Sequence, residues 1–400
     1  MKCPNCQSYI PPSLDSCNSC GYIVTASATA TTTTTTTSNP VYNIGATKTP
    51  IKCDYCNNVS SPNALYCSYC QTILPLPVST VIAGRWVIRR SLKPGGMGRV
   101  YVATDQNTRS DVVVKELLEE QGRPHDARQT FLDHFLNEAK VLESLKMVRS
   151  VPSLIKGVTQ EGPRHYFVME YIDGEDVSEI VTGKGLLDSR KVIEYGISVC
   201  EALEIIHARN PPIVHRDIKP DNLKIRKSDG SLALLDFGIA RSVREGTNLT
   251  KGVGTKGYVA PEQKEGDAEP RSDLYSLAAT MYYMLSGSVP DDPQQRMQGA
   301  LRRLNPKVEV DLEEIILSNL NENPQERYNS ASELSHDLKQ GKMTQTIGCP
   351  NKNCLTPNNR RMIYCVKCAT PLINKSRQCI KCSSFIPFRV KFCPTCGNQV

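Results

Sequence analysis

Three side chains suited to phosphate chemistry lie within one short segment, Ile213–Leu223. They are Asp217, Lys219 and Asn222, and Asp236 opens an Asp-Phe-Gly triplet further along the chain. Phosphoryl transfer requires positioning and charge neutralisation more than covalent chemistry. It needs carboxylate and amide oxygens for Mg2+, a cation on the phosphates, and an acceptor for the proton of the attacking hydroxyl. These two segments supply all of those groups.

A glycine-rich stretch lies upstream, in the segment Leu92–Val100. Glycines let backbone amides approach phosphate oxygens closely, and the valine would return the chain to a strand above an adenine. A plain turn between two strands would have the same composition, so this stretch alone does not identify a nucleotide site. The positions concerned are Lys93, Gly95, Gly96, Gly98 and Val100.

A single lysine, Lys115, lies near the end of an apolar strand predicted over Asp111–Glu116. A lysine on a buried strand needs an anionic partner, which is either a phosphate or a carboxylate. Glu138, in the helical run Phe131–Leu145, can supply that carboxylate.

Taken in order, these motifs resemble the eukaryotic-type protein kinases, and among them the bacterial Ser/Thr kinases with a Gly-Gly-Met loop. The resemblance covers about 84–340. It implies an α+β, bilobal protein-kinase fold, with a β-rich N-lobe and a helical C-lobe, that transfers the ATP γ-phosphate to Ser/Thr hydroxyls of proteins. The roles it implies are a base at Asp217, γ-phosphate stabilisation by Lys219, Mg2+ binding by Asn222 and Asp236, and α/β-phosphate binding by Lys115 paired with Glu138.

The same resemblance places the adenine beside a strand running into a hinge over Tyr166–Ile172. Met169 is implied as the gatekeeper, and the backbone from Glu170 to Ile172 would face the adenine. One departure from the family pattern is Lys93, which stands where the first glycine of the loop is expected. We therefore expect a stiffer or partly occluded loop.

Other landmarks point to structural roles. Glu262 closes the activation segment by resemblance and is expected to pair with Arg327, while Asp273 resembles the buried aspartate that fixes the catalytic loop. Cys200, in the helical pattern Val192–Ile206, is interpreted as a buried structural thiol.

Arg216 precedes the proposed base and suggests control by a phosphate on the activation segment, because a guanidinium there needs an anionic partner. Thr247 and Thr250 are the candidate acceptors, with ordinary loop residues as an open alternative. Thr255 is expected to bond the catalytic loop or the substrate site instead.

Sixteen of the 17 cysteines form four quartets, and ten residues separate the second cysteine from the third in each. Disulfide frameworks do not repeat one spacing in this way, and cytosolic thiols would reduce them. Four thiolates from two knuckles suit tetrahedral Zn2+, with an iron–sulfur cluster as the competing interpretation. The quartets are Cys3, Cys6, Cys17, Cys20; Cys53, Cys56, Cys67, Cys70; Cys349, Cys354, Cys365, Cys368; and Cys379, Cys382, Cys393, Cys396.

Each quartet resembles a zinc ribbon, a small β-hairpin module. Four thiolate ligands leave no open position on the metal, so the sequence predicts four structural zinc sites rather than catalytic ones. The knuckle from Cys349 to Cys354 is longer than the others. The resemblance implies a binding or targeting role, with an unknown protein as the ligand.

The expected organisation has six parts. They are zinc ribbon 1 at 1–24, a threonine-rich disordered linker at 25–50, zinc ribbon 2 at 51–76, the kinase domain at 80–343, zinc ribbon 3 at 346–373 and zinc ribbon 4 at 376–400.

The formal net charge of +7 counts every cysteine as neutral. Four zinc–tetrathiolate sites would lower it to about −1, so net charge does not indicate a nucleic-acid partner. Basic and aromatic residues do cluster in 352–391, which keeps nucleic-acid binding as a less favoured alternative. A non-catalytic scaffold is disfavoured because no catalytic position is missing. The absence of long apolar runs predicts a cytoplasmic chain with no membrane span.

Overall fold

The computed structural model describes the middle of the chain almost continuously and the C-terminal part in pieces. The described residues are 50–62, 64–92, 98–117, 125–236, 257–344, 346–354, 356–359, 365, 367–370, 372, 376–379, 381–382, 385–387, 396 and 398. Within them, no helix combines the length and apolar character that crossing a membrane requires. Ribbon 1, nearly all of the linker, Lys93, Gly95, Gly96 and the three activation-segment threonines lie outside the described residues.

A small cysteine module comes first. Strands β1 (Ile51–Lys52) and β2 (Val59–Ser60) pair antiparallel around its first knuckle. A bridge from Tyr66 to Ile73 flanks the second knuckle in the same way. Two hairpins therefore carry the two cysteine pairs, as the resemblance to a ribbon predicts.

A six-stranded antiparallel sheet follows. Its spatial order is β3-β4-β5-β6-β8-β7, so β6 lies inside the sheet between β5 and β8. Helix α1 (His125–Ser144) separates β6 from β7 along the chain. The strands are β3 (Val81–Ile82), β4 (Trp86–Ser91), β5 (Gly98–Asp105), β6 (Asp111–Leu117), β7 (Leu154–Glu161) and β8 (Arg164–Glu170).

The two faces of this sheet pack differently because side chains alternate along a strand. On one face Phe167 packs against Phe135 of α1, with ring centroids 4.9 Å apart and the rings tilted. On the other face, Trp86 and Tyr166 belong to an apolar cluster that also includes Leu76, from the end of the cysteine module. The module thus contributes to the core of the sheet.

The remaining elements are mostly helical. Helix α5 is buried along most of its length and packs with α3 and α7 in the main core, where α8 packs against α3. Strands β9, β10 and β11 form a three-stranded sheet that contacts α2 and α3. The bounds are β9 (Gly174–Asp176), α2 (Val177–Lys184), α3 (Ser189–His207), β10 (Leu223–Arg226), β11 (Leu232–Leu234), α4 (Pro261–Glu265), α5 (Pro270–Ser286), α6 (Ala300–Leu304), α7 (Val310–Asn319) and α8 (Ala331–Gln340), with 3-10 turns at Pro220–Asn222, Pro293–Arg296 and Pro324–Glu326.

Two short hairpins lie among the described residues after 345. Strand β12 (Thr346–Gly348) pairs with β13 (Pro357–Asn359), and β14 (Ser376–Gln378) pairs with β15 (Phe385–Pro387). The α+β, two-lobed expectation is confirmed, with a sheet-rich first part and a helical second part.

Candidate active site and cysteine clusters

Lys115 lies between two carboxylates. Its Nζ is 2.5 Å from Oε1 of Glu138 on α1 and 3.4 Å from Oδ1 of Asp236. Burial lowers the pKa of Lys115, but the two carboxylates outweigh this and hold the pKa above its usual value. The lysine is therefore a fixed positive charge, and the predicted pair with Glu138 forms.

The loop after α3 gathers three more of the predicted side chains. The amide nitrogen of Asn222 donates to both the backbone oxygen and Oδ2 of Asp217, at 2.8 Å each. The Nζ of Lys219 lies 3.2 Å from the same Oδ2. Asp217 and Asn222 are each 8% exposed. The carboxylate is therefore held in one orientation with a cation beside it.

Asp273 on α5 holds this loop in place. Its fully buried carboxylate accepts hydrogen bonds from the backbone nitrogens of His215, at 2.8 Å, and Arg216, at 2.9 Å. Arg216 has a φ of 68°, a left-handed conformation that is costly for a residue with a side chain. Strained backbone of this kind persists only where neighbouring contacts enforce it. The structural role expected for Asp273 is the one observed.

A backbone hydrogen bond next to Asp236 connects the site around Lys115 with the loop that carries Asp217. The nitrogen of Leu235 donates to the carbonyl oxygen of Asn222 at 2.8 Å, so the segment carrying Asp236 is bonded to the loop carrying Asp217. Asp236 has a φ of 49° and its side chain is 54% exposed. These contacts bring Lys115, Asp217, Asn222 and Asp236 together at one site, called the cleft below, instead of leaving them scattered.

This donor set fits a magnesium ion. The amide nitrogen of Asn222 is used by Asp217, which leaves its oxygen as the group available to a cation. Asp236 adds an exposed carboxylate. Mg2+ prefers oxygen ligands and is usually bound by one or two protein groups together with substrate phosphates and water.

The positions expected to face the nucleotide base lie at the ends of neighbouring strands. A β-carbon at Gly98 would lie 3.0 Å from the carbonyl oxygen of Glu116, so a glycine suits this close approach. Val100 is half-buried and pairs with Lys115 across β5 and β6. Met169 packs on the main core, and Glu170 ends β8. Ile172 follows and is buried.

The structural pair between Glu262 and Arg327 is also present. The guanidinium is fully buried and reaches both carboxylate oxygens, at 2.6 and 2.8 Å. Burial raises the pKa of Glu262, but hydrogen bonds from Arg327 and Ser272 outweigh this and hold the pKa below its usual range. Cys200 is fully buried, as expected, and burial raises the pKa of its thiol.

Three of the four predicted cysteine quartets fall at least partly within the described residues. Their sulfurs lie within 4.8 Å of one another in the clusters Cys53/Cys56/Cys67/Cys70, Cys349/Cys354/Cys365/Cys368 and Cys379/Cys382/Cys396. Cys393 and the whole first quartet lie outside the described part of the chain.

The sulfur spacing fits one metal ion per cluster. In each quartet we compare the first sulfur with the fourth and the second with the third. These distances are 3.6 and 3.5 Å in the second quartet, and 3.5 and 3.7 Å in the third. Tetrahedral coordination at a Zn–S distance of about 2.3 Å places sulfurs about 3.8 Å apart. The cysteines are free thiols, so the clusters suit a metal ion.

Backbone geometry supports the same conclusion. The residues that follow the second cysteine of a knuckle, Asn57, Gln71 and Ala369, all have positive φ. The nitrogens of Lys367 and Lys381 lie 3.4 Å from the sulfurs of Cys365 and Cys379. Amides directed at sulfur stabilise a thiolate.

Sequence reasoning missed several residues that organise the cleft. His207 Nε2 lies 2.8 Å from Asp273 Oδ2, and the amide of Gln263 donates to the carbonyl of Arg216 at 2.8 Å. It also missed a buried network around Arg99 and Glu116 on β5 and β6. The available signal was a charged residue on each of two largely apolar strands, close to the end where the strands leave the glycine-rich stretch.

Most basic residues behind the nucleic-acid alternative lie outside the described part of the chain. Of that cluster, Lys352, Lys367, Arg377 and Lys381 are described, and the three lysines are exposed. They lie on two different cysteine modules, so no continuous basic surface is defined by them.

Known proteins match the central part of the chain. The protein kinase domain family matches residues 86–340, which is more than half of the chain. The serine/threonine-protein kinase PknB of Mycobacterium leprae is 33% identical over 281 residues, which cover 64% of this chain and 43% of that protein. The serine/threonine-protein kinase PrkC of Bacillus subtilis is 32% identical over 271 residues, which cover 64% of this chain and 40% of that protein. The chain thus spans less than half the length of these curated relatives.

Solved structures share the fold. The kinase domain of PknI from Mycobacterium tuberculosis, in a double-mutant form, is 23% identical with a TM-score of 0.51, covering 67% of this chain and 99% of that one. The apo form of PpkA-294 is 21% identical with a TM-score of 0.55, covering 66% of this chain and 99% of that one. At these identities the likeness concerns the fold alone.

Proposed function

Because the chain belongs to the protein kinase domain family, we propose that it transfers the γ-phosphate of ATP to Ser or Thr hydroxyls of protein substrates. The observation that carries the proposal is the single cleft in which Lys115, Asp217, Asn222 and Asp236 lie. The identities to two Ser/Thr kinases support the choice of acceptor hydroxyl. We assign this activity to 80–343.

Nucleotide binding is assigned to the sheet. Lys115 would hold the α- and β-phosphates, and Glu138 would keep its ammonium group in place. Gly98 and Val100 would cover the phosphates and the adenine, together with Lys93, Gly95 and Gly96 of the same loop. Met169, Glu170 and Ile172 would border the adenine from β8 and the hinge.

The transfer step is assigned to the loop after α3. Asp217 would orient the acceptor hydroxyl and accept its proton, because its carboxylate is fixed by Asn222. Lys219, beside that carboxylate, would neutralise charge on the transferring phosphoryl group. Asn222 and Asp236 would hold Mg2+ through oxygen ligands. When bound, the ion neutralises charge on the phosphate oxygens.

The test of this function is phosphate transfer by the full chain. Incubation with MgATP labelled at the γ-phosphate, with and without a generic Ser/Thr protein substrate, should label protein on phosphoserine or phosphothreonine. Acid hydrolysis and phosphoamino-acid analysis identify the acceptor. Label found only on phosphotyrosine would contradict the Ser/Thr assignment, and an absence of both label and MgADP binding would contradict the enzyme itself.

Replacing Glu138 with glutamine should weaken the nucleotide site. The variant removes the charged partner 2.5 Å from Lys115 but keeps the shape of the side chain. A charge-assisted hydrogen bond contributes about 1.5–3 kcal/mol, so kcat/KM for ATP should fall roughly ten- to hundredfold. Glu143→Gln is the matched control, since Glu143 lies on the same helix and is exposed. Equal kcat/KM values in the two variants would contradict the assigned role of Glu138.

We also propose that each cysteine quartet holds a structural Zn2+ ion, which makes four sites in the chain. The support is the sulfur spacing and the thiolate-only ligand set. Modules of about 25 residues bury too little apolar surface to fold without such help. Protein binding or targeting is the role we assign to the terminal modules.

Metal content is expected to follow the number of intact quartets. Elemental analysis of the purified chain should give about four zinc ions per molecule, and Cys379→Ser should remove about one. Cys200→Ser is the control, because this buried cysteine lies outside the quartets. Iron in place of zinc, together with visible absorption typical of a cluster, would contradict the zinc assignment.

A further inference from the structure

The second cysteine module is bonded to the sheet through a buried arginine. Asp54 lies inside the first knuckle of that module, between Cys53 and Cys56. Its carboxylate accepts two hydrogen bonds from Arg99 on β5, from Nε at 2.6 Å and from Nη2 at 2.7 Å. The side chain of Arg99 is fully buried. A bidentate contact of this kind fixes the relative orientation of the two side chains as well as their distance.

The same arginine reaches the strand that carries Lys115. Its Nη1 donates to Oε2 of Glu116 at 3.1 Å, and Tyr101 donates to that oxygen at 2.8 Å. Arg164 on β8 pairs with the other oxygen of Glu116, which is fully buried. Two arginines therefore share this one glutamate, and the carboxylate of Asp54 balances the second positive charge.

The backbone of the module closes the network. The carbonyl of Ile73 accepts from Arg99 at 3.0 Å, and the carbonyl of Leu74 accepts from Arg164 at 2.8 Å. The nitrogen of Leu76 donates to the hydroxyl of Tyr101 at 2.9 Å. If the module moved away, both guanidinium groups would lose acceptors that solvent would have to replace.

The network lies directly behind the nucleotide site. Arg99 faces Glu116 across β5 and β6, and the next pair in the register is Val100 with Lys115. Because side chains alternate between faces, Glu116 points to the module while Lys115 points into the cleft. A shift of either strand would move both residues together.

From these contacts we propose that the second cysteine module positions the nucleotide site, with Asp54 and Arg99 as positioning residues for the β5–β6 hairpin that carries Lys115. This inference rests on the proposed kinase function and deepens it. A module of this size needs its metal to fold, so ligand loss at Cys56 releases Asp54. Metal binding by this cysteine cluster is thereby coupled to nucleotide affinity.

The experiment compares matched variants of the full chain. Asp54→Asn removes the charge and keeps the shape, and Cys56→Ser removes one metal ligand. The controls are Asp311→Asn, an exposed carboxylate on α7 outside the sheet, and Cys354→Ser, the corresponding ligand in the third quartet. The readouts are amide hydrogen exchange of 98–117, the Kd for MgADP by calorimetry, and zinc content.

The expected result separates the test variants from the controls. Asp54→Asn and Cys56→Ser should speed exchange in 98–117 and weaken MgADP binding roughly fivefold or more, as typical couplings between sites do. Asp54→Asn should keep its zinc, which shows that the module is still folded. The control variants should match the wild type in both readouts.

Two results would overturn the proposal. One is that both test variants show the same amide exchange in 98–117 and the same MgADP affinity as the wild type. The module would then contact the sheet without positioning it. The other is faster exchange with unchanged MgADP affinity, which would uncouple the network from the nucleotide site. A wild-type chain that binds no MgADP would instead refute the proposed function, so the two failures are distinguishable.

Discussion

Asp217→Asn is expected to lower kcat for phosphate transfer roughly 10²- to 10⁴-fold, the range that a positioned general base supplies. Asparagine keeps the shape of the side chain but cannot accept the proton of the acceptor hydroxyl. MgATP affinity should change little, because the groups assigned to the phosphates and to Mg2+ remain. Rapid-quench measurement of labelled phosphate transfer, together with calorimetric binding of MgADP, separates the two quantities.

Asp221→Asn provides the matched control. Asp221 lies in the same loop, but its side chain is exposed and holds none of the roles assigned here. We expect this variant to keep wild-type kcat. If Asp217→Asn transferred phosphate as fast as Asp221→Asn, the proton acceptor would have to be sought elsewhere in the cleft.

Arg327→Leu is expected to lower the free energy of unfolding of the helical lobe by about 3–5 kcal/mol, because it leaves a largely buried carboxylate without its partner. The substitution removes the bidentate salt bridge to Glu262 and hydrogen bonds to the backbone oxygens of Asn321 and Arg271. Urea unfolding followed by far-ultraviolet circular dichroism reports this lobe, since most of the helices lie there.

The pH dependence of the free energy of unfolding provides a second test of this prediction. The folded state holds the pKa of Glu262 below its usual value, so the pair contributes stability above the ordinary pKa of glutamate and loses it as pH falls through the depressed value. The difference between wild type and variant should therefore shrink in acid. Arg303→Leu, at an exposed site on α6, should leave the free energy of unfolding near that of the wild type. Equal unfolding curves for Arg327→Leu and Arg303→Leu would contradict the argument.

Local patterns were sufficient to predict the elements that carry the cleft. The apolar run over 111–116 became β6, and the helical run over 131–145 became the C-terminal part of α1. Chemistry indicated that Lys115 needs an anionic partner, since a buried ammonium group is costly, and the resemblance to protein kinases implied that Glu138 is that partner. The loop around Asp217 followed from its motif.

Contacts between distant segments could not be predicted in the same way. In the sequence, Asp54 is an acidic residue between two cysteines and Arg99 is a cation beside a glycine-rich stretch, yet 45 positions of chain separate two groups that bond at 2.6 Å. Nothing in the periodicity of either segment indicates the other. The bond depends on the path of the chain from the module into β3, which only the folded arrangement defines.

Trp86 gives the junction between the module and the sheet a useful optical property. It is the single tryptophan of the chain, it is 2% exposed, and it shares its apolar cluster with Leu76. The guanidinium of Arg85 lies 5.1 Å from the centre of its ring. Its fluorescence therefore reports the environment of the boundary between the module and the sheet. Separation of the two can be followed in real time without an attached dye.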